Sequence, residues 1–135
     1  MKTARQILDS KITEREFQDS VIELFQRYRW HVCHFRPART QEGWRTAIQG
    51  DKGFPDTLIT KDGQLIIAEI KSESGKLSPE QIDWYTLLSL VELSSDGALE
   101  VFVWRPSMWA SIESIAKGEE YGTRGIISRT ARIER

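Results

Sequence analysis

The chain has one cysteine, Cys33, so no disulfide closes within it and no thiolate cluster is on hand to hold a metal. A reducing compartment is the expectation. No apolar run approaches the roughly 18 residues of a membrane span, and the opening MKTARQILDSKITEREF lacks the apolar centre of a secretory signal. Neither membrane insertion nor secretion is expected. Internal repeats and low-complexity tracts are missing too. So is an excess of one charge: 19 lysines and arginines meet 20 aspartates and glutamates, for a net charge of -1. That balance gives no global support for nucleic-acid binding, so any such role has to rest on local clusters of basic residues.

What is present is the composition of a globular domain, 39% hydrophobic and 29% charged. At 135 residues the chain is long enough to bury one core and too short for two. We expect one domain over residues 1–118. The basic extension 119–135, with Arg124, Arg129, Arg132 and Arg135, either adds a strand at 125–128 or is a loose tail.

Thr13 with Glu16 is a capping-box signature, and Phe17, Val21, Leu24, Phe25 and Tyr28 follow at helical spacing, which predicts a helix over 13–29. Trp30 to Phe35 reads as a short strand. Residues 36–54 show neither period, and a connection this long inside a compact domain is functional or disordered. They set Arg36, Arg39, Arg45 and Lys52 against Glu42 and Asp51, the most basic surface in the chain. Asp56 to Thr60 and Gln64 to Lys71 are strand-like runs joined by Asp62-Gly63, a dipeptide suited to a two-residue hairpin turn because both positions tolerate positive φ. Ser78-Pro79-Glu80-Gln81 is a second capping box, opening a helix to about residue 93. Ala98 to Trp104 is a further strand; Ser107 then caps a short helix to Lys117, ended by Gly118. A mixed sheet flanked by helices is the natural architecture.

The hairpin is where charge collects. With Asp62 and Gly63 as the loop, Lys61 lies opposite Gln64, and counting outwards in register brings Asp56 opposite Glu69. Period-two alternation puts Lys71 on that same face. Like charges opposed in a sheet are destabilising, so something has to compensate them. A divalent cation is the simplest answer, since carboxylate oxygens suit Mg²⁺ or Mn²⁺ and leave positions open for water and phosphate. The bland alternative is a solvated strand-end Asp56, with Glu69 and Lys71 on an exposed edge. Against it, Leu65 and Ile67 share the face of Glu69 while Ile66, Ala68 and Ile70 fill the other, so the strand reads as buried on both sides. Glu16 and Gln81 are explained by capping alone, though either can cap and also reach the site. His31 and His34, at odd spacing on a strand, cannot both face the site, and both read as structural.

Glu16 on the first helix, GFPD (53–56), AEIK (68–71), SPEQIDWY (78–85) and VFVWRPS (101–107), in this order, resemble the PD-(D/E)XK nuclease superfamily, in particular its VRR-NUC type. The resemblance covers residues 13–117. It implies an α/β fold with a restriction-endonuclease-like core, a mixed central sheet whose β-hairpin bears the active site, and flanking helices. It also implies a metal-dependent DNA endonuclease acting on branched or structured DNA, with Mg²⁺ or Mn²⁺ bound by Asp56, Glu69 and the main-chain carbonyl of Ile70. Lys71 would position the attacking water. Glu16 would complete the acidic cluster, through a water or a second ion, and Gln81 with Tyr85 would support the site from the following helix. A Holliday-junction-resolvase form predicts a homodimer, because a junction needs paired cuts. A bacterium or the cytoplasm of a virus-infected host is the setting implied.

The segment 36–54 is longer and more basic than the smallest such nucleases suggest. With Trp44 among its arginines it is either a substrate-reading loop, suited to phosphates and unstacked bases, or an insertion with Trp44 packed on the core. Lys76 adds a candidate phosphate contact, and Tyr85 a candidate DNA contact. The competing readings are an inactive DNA-binding or assembly module on a nuclease-like scaffold, and an α/β protein with no nucleic-acid role.

Overall fold

A computed structural model describes residues 1–119. Apart from Glu119, the basic extension and its expected strand lie outside the described residues. The helix predicted at 13–29 is α2 (Glu14–Arg27), preceded by a helix the sequence reading does not contain, α1 (Ala4–Lys11). Short strands β1 (His31–His34), β2 (Ala38–Thr40) and β3 (Gly43–Arg45) follow, then the expected hairpin of β4 (Thr57–Lys61) and β5 (Gln64–Ile70). The chain continues through α3 (Pro79–Ser94), β6 (Leu99–Trp104), a 3₁₀ turn at Pro106–Met108 and α4 (Trp109–Lys117).

The main sheet runs β1-β4-β5-β6, antiparallel for the first two pairings and parallel between β5 and β6. A parallel pair needs a crossover, and α3 is it. Alternation along β5 divides the interior. Ile66, Ala68 and Ile70 join Phe17, Val21, Phe25, Phe102 and Trp104 in the larger core, under α2 and α4. Ile67, with Leu99 and Val101, forms a smaller core, against which Phe54, Leu58, Leu65, Tyr85 and Leu88 pack. The chain is therefore a mixed α/β protein with four α-helices among the described residues. None of those helices is long and apolar enough to cross a membrane.

Asp62 and Gly63 both have positive φ, 49° and 79°, and Lys61 pairs with Gln64 as expected. The register holds as far as Thr57 opposite Ala68. Four details differ from the sequence reading. Helix α1 is short and buries only Asp9, so it offers no apolar stripe; its one legible signal is the capping box of Thr3 with Gln6. Trp30 is not in the strand but sends its indole N–H to the carbonyl of Ala116, 3.0 Å away. Residues 36–54 hold the two-stranded ribbon β2–β3, whose strands are exposed throughout and so carry no apolar alternation. Ser107 does not cap α4: the helix begins after Met108 with no side-chain cap, and the Ser107 amide donates to Glu73 at 3.0 Å.

Helix α3 is unusual in burying no residue fully. Ile82, Leu87, Leu90, Val91 and Leu93 face outward, all exposed. A helix apolar on every side is ordinarily enclosed.

Candidate functional site

The site lies where the ladder between β4 and β5 stops. Asp56 would pair with Glu69 if the register ran one step further, but the backbone bends there. Instead the Asp56 amide donates to Glu69 Oε2 at 3.1 Å, while the amide of Phe35 donates to the Asp56 carbonyl at 2.8 Å. The Asp56 side chain curls round the end of the sheet. Its Oδ1 accepts from the Ile70 amide at 3.2 Å and from the Thr57 hydroxyl at 2.9 Å. The two acids thus hold each other through main-chain donors rather than by lying side by side on one strand face.

Glu69 is buried on the face covered by α3. Its Oε1 accepts from Gln81 Nε2 at 2.8 Å and stands 3.7 Å from Lys71 Nζ. Gln81 also caps: its Oε1 accepts from the Ser78 amide at 2.8 Å and its amide donates to Ser78 Oγ at 3.1 Å. One side chain thus fastens the start of α3 and holds a site carboxylate. Burial and the neighbouring Asp56 carboxylate push Glu69 up to about 8, with Lys71 pulling the other way. Asp56 is raised as well, chiefly by burial, against the hydrogen bonds from Thr57 and Ile70 and the charge of His34.

Two further residues complete the ring. Glu14, in the first turn of α2, adds its charge to both acids and raises both. His34, opposite Thr57 in the register, places Nε2 3.6 Å from Asp56 Oδ2. The sequence reading takes His34 as structural, but its ring stands at the site.

The residues expected here divide accordingly. Asp56, Glu69, Lys71, Gln81 and Ile70 come together, the last through its amide. Glu16 turns back onto Thr13, whose hydroxyl donates to it at 2.8 Å, and it is Glu14 rather than Glu16 whose charge both acids feel. Tyr85 packs against the smaller core. Arg36 stands 3.7 Å from Asp19, and Lys52 is 3.8 Å from Glu80 at the start of α3. Lys76 and Arg45 are exposed. Trp44, 63% exposed, is not packed on the core; Arg39 lies across the ribbon with its guanidinium 6.0 Å from the ring centre.

Two anchors frame the site. Trp84 Nε1 donates to the carbonyls of Asp51 and Lys52, at 3.2 and 3.0 Å, and its ring meets Phe54 edge-on at 5.1 Å. Between them Gly53 runs so close to α3 that an added Cβ would sit 2.7 Å from Glu80, at a φ of 97°. Arg105 donates to the carbonyls of Ser72, Glu73 and Gly75 at 2.7, 3.2 and 2.6 Å, which fixes the loop that follows Lys71.

Do these residues suit a divalent cation? The donor set is of the right kind: hard carboxylate oxygens, with Lys71 beside them. Both ring nitrogens of His34 are buried without a hydrogen-bond partner, the condition of a group that has a ligand to take. As the side chains stand, no three His, Cys, Asp or Glu groups among the described residues are gathered closely enough to hold an ion. The contacts give the reason, since Glu69 is turned to Gln81 and the Asp56 amide. No protein-family profile matches the chain, and no curated protein matches it.

Proposed function

We propose that this chain is a divalent-cation-dependent nuclease that hydrolyses phosphodiester bonds in branched or otherwise structured DNA, such as a flap, a splayed duplex or a four-way junction. The observation that carries it is the junction of the buried Glu69 with the half-buried Asp56, with Lys71 at 3.7 Å and Gln81 at 2.8 Å from the same Glu69 oxygen. Two acids whose affinity for protons is raised make a site that favours another positive charge. The element order supports the PD-(D/E)XK, VRR-NUC reading of the fold, a restriction-endonuclease-like core: helix, strand, hairpin, crossover helix, parallel strand.

In this reading Asp56 and Glu69 hold Mg²⁺ or Mn²⁺, with the Ile70 carbonyl as a further oxygen donor. When bound, such an ion would supply Lewis acidity to a water and to the phosphate oxygens. Lys71 Nζ orients that water and stabilises the charge developing on phosphorus. Gln81 keeps Glu69 in place. Arg36, Arg39, Arg45, Lys52 and Lys76 offer cations to the backbone, and Trp44 offers a ring to an unstacked base. A four-way-junction substrate calls for a homodimer, for which the exposed apolar side of α3 is the suitable surface. The cytoplasm of a bacterium or of a virus-infected cell is where such an enzyme would act.

The test is incubation with flap, splayed, four-way and plain duplex DNA in Mg²⁺, Mn²⁺ or EDTA, beside Asp56→Ala and Lys71→Ala, with native mass measured in parallel. Cleavage that needs the cation and disappears in both variants is expected. Wild-type rates in Asp56→Ala would show the site to be elsewhere. A second reading, a DNA-binding module without activity, is favoured by the carboxylates' being taken up by protein donors. It predicts cation-independent binding and no cleavage of any substrate.

A further inference from the structure

The imidazole of His34 is 8% exposed, and neither ring nitrogen has a hydrogen-bond partner. An unpaired buried polar group is costly, and such groups in native folds generally have an ion, a water or a chemical role. The position is also fixed by the fold. His34 ends β1, opposite Thr57, and the ladder between β1 and β4 sets its ring beside Asp56, the residue at the bend just before Thr57. Asp56 Oδ1 is taken by Thr57 and Ile70, whereas Oδ2 faces His34.

The 3.6 Å between Nε2 and Oδ2 is too long for a hydrogen bond. Cis donors on an octahedral ion with bonds of about 2.1 Å lie about 3.0 Å apart, so a shift of about half an ångström brings both atoms onto one ion. We propose that His34 is a nitrogen donor to the cation held by Asp56, so that the site takes a Mn²⁺-type transition ion in preference to Mg²⁺. The inference rests on the reading of this site as a cation centre. It adds to it a ligand, and with the ligand a selectivity. Oxygen donors alone suit Mg²⁺ and Mn²⁺ alike, whereas imidazole strengthens binding of Mn²⁺ or Co²⁺ and does little for the hard, strongly hydrated Mg²⁺. His34 reaches Asp56 from the face covered by α2 and Glu69 from the face covered by α3, so the ion site straddles the end of the sheet.

The experiment is Mn²⁺ titration of the whole chain followed by EPR, with Mg²⁺ as competitor, and pulsed EPR of the bound ion for coupling to an imidazole nitrogen. Wild type should show that coupling. His34→Gln should lose it, binding Mn²⁺ about 10- to 100-fold more weakly while Mg²⁺ affinity changes by less than about threefold. Asp56→Asn should lose both ions. Bound Mn²⁺ without nitrogen coupling in wild type overturns the proposal and leaves the nuclease reading standing; that result needs no variant to fold. Unchanged Mn²⁺ affinity in His34→Gln, with loss in Asp56→Asn, overturns it in the same way. If wild type binds neither ion, this proposal and the cation-dependent nuclease reading fall together.

Discussion

Among the described residues there are two β-hairpins with two-residue loops, and they behave oppositely. In β4–β5 the loop residues Asp62 and Gly63 both have positive φ, so the turn matches the strands' twist and the ladder runs five pairs. In β2–β3 the loop residues Gln41 and Glu42 do not; the strain falls on Gly43, at a φ of 103°, and the ladder stops after three pairs. The first is enclosed between two cores, and the second is exposed along its length. A hairpin packed on both faces cannot slip by one residue without sending every side chain into the core on the other face. That rigidity makes β5 a fit place for Glu69, whereas an unpacked ribbon is fit for contact with something outside the chain.

If this contrast is right, the largest effect belongs to the acids of the rigid hairpin. Glu69→Gln should abolish cleavage, a loss of about 10³-fold or more, yet raise the melting temperature in EDTA at pH 8, because it removes a buried charge. Loss of activity with a large loss of stability would instead make Glu69 a structural residue.

The sign of the pH dependence follows from the same group. Glu69 titrates near 8 in the folded chain against an ordinary 4.5, and Asp56 is raised too, so the folded state holds protons more tightly than the unfolded one. Their contribution to stability is complete at low pH, below about 4.5, and is lost as pH rises toward about 8. In EDTA the melting temperature should fall by about 5 °C or more between roughly pH 5.5 and 8.5, and Glu69→Gln should flatten the curve. A steeper fall in the variant would contradict the assignment.

Arg105→Met frees the loop after Lys71 from three carbonyl hydrogen bonds. A cost of about 2–3 kcal/mol in denaturant unfolding is expected, with faster amide exchange over residues 72–75. The smallest effect on stability belongs to the ribbon: Trp44→Ala should stay within about 0.5 kcal/mol of wild type while weakening single-stranded DNA binding by about 1–3 kcal/mol. A stability loss comparable to that of Arg105→Met would mean that the ribbon is packed after all.

The same contrast explains what was legible in the sequence. Asp62-Gly63 and the two capping boxes at Thr13 and Ser78 specify local geometry outright, so the site hairpin, α2, α3 and the nearness of Asp56, Glu69 and Lys71 could be read in advance, whereas Gln81 beside Glu69 was implied only by the family resemblance. The ribbon could not, because strands of three exposed residues carry no pattern. Helix α1 was marked only by Thr3 and Gln6. The bend at Asp56 was hidden because register arithmetic assumes that the ladder continues. Its consequence, an aspartate turned toward His34 rather than laid beside Glu69, depends on main-chain donors that no side-chain pattern encodes. Glu14 and Glu16 are separated only by which way each points from the helix start.

The central claim is that two proton-loving acids at the end of the sheet form a cation site. Calorimetric titration with Mn²⁺ at pH 7, in two buffers of different ionisation enthalpy, tests it most directly. Because Glu69 titrates near 8, binding should release close to one proton per ion, and Glu69→Gln should bind weakly with almost no release. Binding without proton release, or equal binding in Glu69→Gln, would contradict the account.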